Sequence, residues 1–261
     1  MDKQINLIYF SATDNTSQIV KALASRIGGQ IYEYNFTLSA NRETNMTFTS
    51  DDIVIVGVPV YGGRVPAFLI DSFNKIKGNN TFAIFIIVYG NRAYEDSLLE
   101  LKNTFEENGF IGIAAAAFIG EHSNTRKVGA GRPDHADLLI ANEFGDAIKE
   151  KLNSIKSTRE VSQLAVKGNF PYKERTAAPL MTPVTYDTCT NCGICAKHCP
   201  MGAIDFNNFK DVDREKCIRC SSCVKRCPVN AKEFSHEAFK KITQMLIDNY
   251  SQIRQEPDLF I

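Results

Sequence analysis

The chain has no tryptophan, and its first 188 residues contain no cysteine. Without tryptophan, stacking against any flat ligand falls to tyrosine. Net charge is also missing: 30 basic residues stand against 30 acidic ones. That balance argues against a histone-like DNA binder, a strongly acidic tail and a disordered chain, and no nucleic-acid partner is expected. The longest apolar runs, Ile53–Val60 and Phe82–Tyr89, fall far short of the roughly 20 residues that cross a bilayer. A strand pattern begins almost at once (Ile5-Asn6-Leu7-Ile8-Tyr9-Phe10), which predicts no signal peptide, no membrane insertion and a cytoplasmic protein.

What is present is unevenly distributed along the 261 residues, a length that suits one large domain or two. All eight cysteines lie between Cys189 and Cys227. Residues 1–150 carry 13 basic and 18 acidic side chains, and residues 151–261 carry 17 and 12. A chain neutral in total but polarised by half suggests two units of different chemistry.

The first unit alternates strand and helix patterns. Ile53–Val58 and Phe82–Val88 are unbroken, β-branched-rich runs of the kind covered on both faces in a parallel sheet. Phe110–Ile119 and Gln30–Asn35 read as further strands. Between them, Thr16–Ile27 gathers Ile19, Val20, Leu23 and Ile27 on one face and stops at Gly28-Gly29. Glu95–Asn108 and Asp134–Leu152 show the same helical period, and a short helix is expected after Pro66. Five strands alternating with helices predict a doubly wound α/β sheet. Residues 153–186 lose the rhythm, with Pro171, Pro179 and Pro183 marking a connection. A stripe of Phe239, Ile242, Met245, Leu246 and Tyr250 predicts a helix packing back on the protein.

The cysteines repeat. Cys189-x2-Cys192-x2-Cys195-x3-Cys199-Pro200 recurs at an offset of 28 as Cys217-x2-Cys220-x2-Cys223-x3-Cys227-Pro228. A cubane needs four converging thiolates; two-residue gaps let one loop wrap three corners, and the cysteine before proline ligates the other cluster in two-cluster ferredoxins. The expected ligand sets are Cys189, Cys192, Cys195 and Cys227 for cluster one, and Cys217, Cys220, Cys223 and Cys199 for cluster two. Structural zinc favours paired ligands, and a disulfide framework suits a short secreted chain, so two [4Fe–4S] clusters are the better reading. Each oxidised cubane with its thiolates carries about −2, and Lys197, Arg219, Lys225 and Arg226 are candidate counter-charges.

The first strand ends in Phe10-Ser11-Ala12-Thr13-Asp14-Asn15-Thr16. Ser11, Thr13, Asn15 and Thr16, with the first N–H groups of the following helix, form a candidate phosphate cradle that is neither a Walker loop nor GxGxxG. Two more loops follow strand ends, where such sheets bind ligands. They are Pro59-Val60-Tyr61-Gly62-Gly63 and Tyr89-Gly90-Asn91-Arg92-Ala93-Tyr94.

On these residues, with Gly120-Glu121-His122-Ser123 and Gly131-Arg132-Pro133, the chain resembles the flavodoxin–ferredoxin fusion proteins of anaerobes. The resemblance implies a flavodoxin-like FMN domain over 1–155 with five parallel strands in the order 2-1-3-4-5. A linker at 156–186, a bacterial-type 2[4Fe–4S] ferredoxin domain at 187–235 and a C-terminal helix at 236–261 would follow. It further implies FMN with its phosphate on Ser11–Thr16 and its ring bordered by Pro59–Gly63 and Tyr89–Tyr94. One departure stands out: Asp14 occupies a position where flavodoxins usually carry glycine, setting a carboxylate beside an anion unless it turns away. The expected function is electron transfer between FMN, the two clusters and redox protein partners. The alternative is a ferredoxin-fed FMN reductase of a small organic substrate, for which the sequence commits no acid–base pair; Glu121, His122 and Arg126 follow the fifth strand within reach of the flavin edge, but a hydrogen-bonded surface loop is the better reading of them.

Overall fold

The computed structural model describes residues 4–176 and 179–261. The order of elements is β1 (Gln4–Tyr9), α1 (Asn15–Ile27), β2 (Gln30–Asn35), β3 (Met46–Phe48), β4 (Asp52–Pro59), α2 (Ala67–Phe73) and β5 (Ile76–Gly78). Then come β6 (Thr81–Tyr89), α3 (Ser97–Glu107), β7 (Phe110–Ile119) and α4 (His135–Ser154). The C-terminal part contains β8 (Val184–Thr185), α5 (Ile194–Lys197), α6 (Ser222–Lys225), β9 (Lys232–Glu233), α7 (Glu237–Tyr250) and β10 (Asp258–Phe260).

The main sheet runs β10-β7-β6-β4-β1-β2. Its five parallel strands, renumbered in chain order, read 2-1-3-4-5, the flavodoxin-like winding. All nine residues of β6 are buried because helices cover both faces. One apolar layer joins Ile55, Ile84 and Ile86 to Ile19, Leu23, Phe144 and Ile148 of α1 and α4. The other joins Val54, Val56 and Phe85 to Leu69, Phe73, Leu101 and Phe105 of α2 and α3. Asp134 and Asp137 close a capping box at the start of α4, which accounts for that sharp helix entry.

Two features depart from expectation. The sheet has a sixth strand, β10, antiparallel to Ala115–Ala117 of β7, so the C-terminal segment is not one helix. The helix ends at Tyr250 because Asn91, fully buried, captures the chain: its Nδ2 donates to the carbonyls of Tyr250 (3.1 Å) and Ile253 (2.6 Å). Of the predicted stripe, Phe239 and Leu246 are buried, whereas Ile242 and Met245 are exposed. The connection at 156–186 is also no free tether. Asp96 accepts from the backbone N–H of Asn169 and Lys173, Arg175 pairs with Glu100, and Leu164 is buried, so residues 164–175 are strapped along α3.

The cysteine-bearing segment repeats in space as in sequence. Asn191 and Gly193 precede α5 with positive φ, and Arg219 and Ser221 precede α6 in the same way. The Ala203 N–H donates to Cys199 Sγ (3.2 Å), and the Ala231 N–H donates to Cys227 Sγ (3.1 Å).

Candidate functional site

The eight thiols fall into two quartets around two small cavities. One cavity is lined by Cys199, Cys217, Cys220 and Cys223. The other is lined by Cys189, Cys192, Cys195 and Cys227. Each quartet thus takes three cysteines from one repeat and the fourth from the other, the crossed grouping expected from the spacing. Among the described residues, no group of three or more His, Cys, Asp or Glu side chains is arranged around a single metal ion. Burial pushes the Cys220 thiol up to about 12 and raises Cys223 further. Metal-free, these sulfurs hold their protons; coordination of iron displaces them.

A much larger cavity, about 710 Å³, lies over the carboxyl ends of β1, β4 and β6, within the size range of small-molecule and cofactor sites. Ser11, Thr13, Asn15 and Thr16 line one end, with Pro59, Val60, Tyr61, Gly62, Tyr89 and Gly90 along its walls. Gly63, Asn91, Arg92 and Tyr94 do not line it. Asn91 and Tyr94 instead hold the C-terminal segment, the Tyr94 hydroxyl donating to Asp258 at 2.6 Å, and Arg92 pairs with Glu95. That tail pairing was not visible in the sequence, so the whole 89–94 loop read as a ring-binding border.

The end of the cavity at β1 is built for an anion. Among the described residues, the backbone N–H groups of Ala12, Thr13, Asp14, Asn15 and Thr16 meet no protein acceptor. They open onto the N-terminus of α1, where the helix dipole favours negative charge. The Ser11 hydroxyl oxygen accepts from Ser17 N–H, which leaves its proton to donate. Asn15 Nδ2 donates to the Glu121 carbonyl (3.0 Å), tying this loop to the one after β7. Asp14 turns away: both carboxylate oxygens lie 2.7 Å from Arg226 Nη2, in the cysteine-bearing half.

Tyr61 and Arg64 form a tight two-residue hairpin around Gly62 and Gly63, both with positive φ. A Cβ on Gly63 would fall 2.0 Å from Glu95 Oε2, whereas one on Gly62 would meet nothing within 4 Å. His122 lies against Gly90. Its Nδ1 accepts from Asn124 N–H, so the neutral ring carries its proton on Nε2, and burial pushes its pKa down to about 4.

The two halves meet at this cavity. Lys225 pairs with Glu121 at 2.7 Å, and Arg126 donates to the Lys225 carbonyl. Ile218 and Cys220 pack on the apolar layer of the sheet. Cys217, Ile218 and Cys220 line both the large cavity and the thiol quartet behind it. Leu180, Met181, Phe239 and Ile242 also line the cavity, Met181 and Phe239 packing in one apolar cluster with Cys217. None of these wall residues was legible as a ligand contact, because periodicity marks which residues are apolar and not which half of the chain they meet.

Residues 188–231 match the family model of the 4Fe-4S dicluster domain. The chain therefore joins a sheet of flavodoxin winding to a dicluster module. No curated protein matches the chain. Among solved structures it is similar to a flavodoxin from the domain Archaea, at 14% identity and TM-score 0.39, covering 57% of this chain and 99% of that one. It is similar to a flavodoxin of Streptococcus pneumoniae TIGR4 at 15% identity and TM-score 0.40, covering 57% and 99%. It is also similar to the rubredoxin oxygen:oxidoreductase of the anaerobe Desulfovibrio gigas at 16% identity and TM-score 0.38, covering 58% of this chain and 36% of that one. No helix among the described residues is long and apolar enough to cross a membrane.

Proposed function

We propose that the protein is an electron carrier that binds FMN in the large cavity and two [4Fe–4S] clusters in the cysteine quartets, exchanging electrons with external redox proteins. The observation that carries this reading is the shared wall: Cys217, Ile218 and Cys220 border both the cavity and one quartet. The donor set fits FMN, with a row of unpaired N–H groups for a phosphate at one end and Tyr61 and Tyr89 along the walls. Each quartet supplies the four thiolates of a cubane.

FMN, when bound, supplies exchange of electrons in pairs or singly, which cubanes accept one at a time; the protein supplies binding, orientation and electrostatics. The 12–16 N–H groups hold the phosphate, and Arg226 holds Asp14 away from it. The Tyr61–Arg64 hairpin would border the ring. Tyr61 lines the cavity together with Cys220, and burial raises its phenol well above the ordinary value. It would therefore stay protonated and neutral beside the bound groups. Met181 and Phe239, both buried, would narrow access by water.

A second reading, reduction of a small organic substrate by cluster-fed FMN, is favoured by His122, a neutral ring with an Nε2 proton at the cavity wall. Anaerobic purification with cofactor analysis tests the first reading. About one FMN and about eight iron per chain are expected, and a fully iron-loaded protein that does not take up FMN contradicts it. Turnover with reduced viologen and a panel of organic acceptors favours the second reading if one acceptor is consumed catalytically.

A further inference from the structure

Among the described residues, four cationic side chains are buried: Arg42, Lys102, Arg132 and Lys232, each at most 6% exposed. Two have carboxylates, Lys102 with Glu106 and Arg132 with Asp137. Arg42 and Lys232 form no ion pair among the described residues. Burying a charge without a partner is costly, so an unpaired pair in one molecule calls for an anion.

Lys232 lines one thiol quartet, and Arg42 stands behind the wall of the other. Arg42, in the loop after β2, donates through Nη2 to the Pro200 carbonyl (2.8 Å) and lies 3.3 Å from Met201 Sδ. Pro200 and Met201 line the cavity of Cys199, Cys217, Cys220 and Cys223. Its other bonds go to the carbonyls of Phe36 and Thr37, and its plane lies over Phe68 at 4.8 Å. Lys232, in β9, donates to Thr185 Oγ1 (2.6 Å) and the Phe209 carbonyl (2.7 Å); it lines the cavity of the other quartet beside Cys195 and also faces Cys223 of the first. Of the basic residues singled out in the sequence, Lys225 and Arg226 are taken by Glu121 and Asp14, whereas Arg219, donating to the Pro179 carbonyl, faces Cys217 of the first quartet.

We propose that Arg42 and Lys232 are the built-in counter-charges of the two clusters, Arg42 for the cluster on Cys199, Cys217, Cys220 and Cys223, and Lys232 for the other. Because Arg42 comes from the sheet half, the potential of its cluster depends on the halves being docked. The inference rests on the reading of the quartets as cluster sites. A fixed positive charge stabilises the more negative, reduced cluster and raises its potential.

The test is an EPR-monitored redox titration of the full anaerobic chain. In R42Q, the cluster on Cys199, Cys217, Cys220 and Cys223 should become roughly tenfold or more harder to reduce relative to the other, which is about 59 mV for one electron. K232Q should shift the other cluster more. R42K, which keeps the charge, should titrate near the unaltered protein. R42M, which keeps an unbranched chain of similar reach without the charge, should shift the same cluster as R42Q and covers the case in which R42Q does not fold. Unchanged potentials in R42Q or R42M, equal shifts of both clusters in R42Q, or an R42K shift equal to that of R42Q would overturn the proposal. A wild-type protein lacking one of the two cluster signals would instead contradict the reading of the quartets, so the two failures are distinct.

Discussion

In the sheet half, β6 lies fully buried between two apolar layers, each assembled from whole helices. In the cysteine-bearing half, the helices α5 and α6 are four residues long, and the two apolar clusters centre on three buried residues each. The first half carries its own folding free energy through burial. The second has too little core to do so, and the binding of iron by its thiols is part of its folding free energy. One chain thus contains a scaffold that folds without cofactors and a module that folds around them.

The largest expected effect is the response to iron removal. Chelation of the intact chain should leave the amides of β4 and β6 protected from hydrogen exchange while residues 187–235 exchange freely; continued protection of both halves would erase the contrast. Next come single substitutions on either side of the boundary. Phe85→Ala should cost about 3–5 kcal/mol in sheet unfolding and leave iron content unchanged. Cys223→Ala should remove about half the iron and barely move the sheet transition in a denaturant titration.

Smaller effects sharpen the comparison inside the cavity. Gly63→Ala adds a collision with Glu95 to a positive φ and should cost about 2–3 kcal/mol, whereas Gly62→Ala, strained but unobstructed, should cost about 1 kcal/mol. Equal losses in paired thermal melts would contradict the hairpin geometry. His122 gives a pH signature. Its pKa is about 4 in the folded chain and about 6.5 when unfolded, so between these values the unfolded state binds more protons. Stability should therefore fall as pH drops from about 6.5 toward 4 and stay level above. His122→Gln should flatten that slope, and an unchanged slope would remove His122 as its source.

The sheet was legible because strands buried on both faces leave unbroken apolar runs, as at Ile53–Val58 and Phe82–Val88. The quartets were legible because a covalent spacing rule survives in one dimension. What escaped depends on contacts between distant residues. β10 is three residues without periodicity, held by pairing to Ala115–Ala117. Asn91 and Tyr94 looked like ring contacts until the C-terminal segment claimed them. Arg42 is one basic residue among 30 until Pro200, far along the chain, is seen to accept its hydrogen bond. Asp14 looked like a flaw in an anion site, and its partner Arg226 sits in the other half.

The most direct measurement follows flavin absorbance after rapid anaerobic mixing with a one-electron, low-potential viologen. In the unaltered chain the clusters should be reduced first and the flavin should bleach through them. In Cys223→Ala, with the cluster beside the cavity lost, flavin bleaching should slow by at least about tenfold while FMN content is retained. Bleaching at the same rate in both proteins would show that electrons reach the flavin without that cluster and would contradict the shared wall as their route.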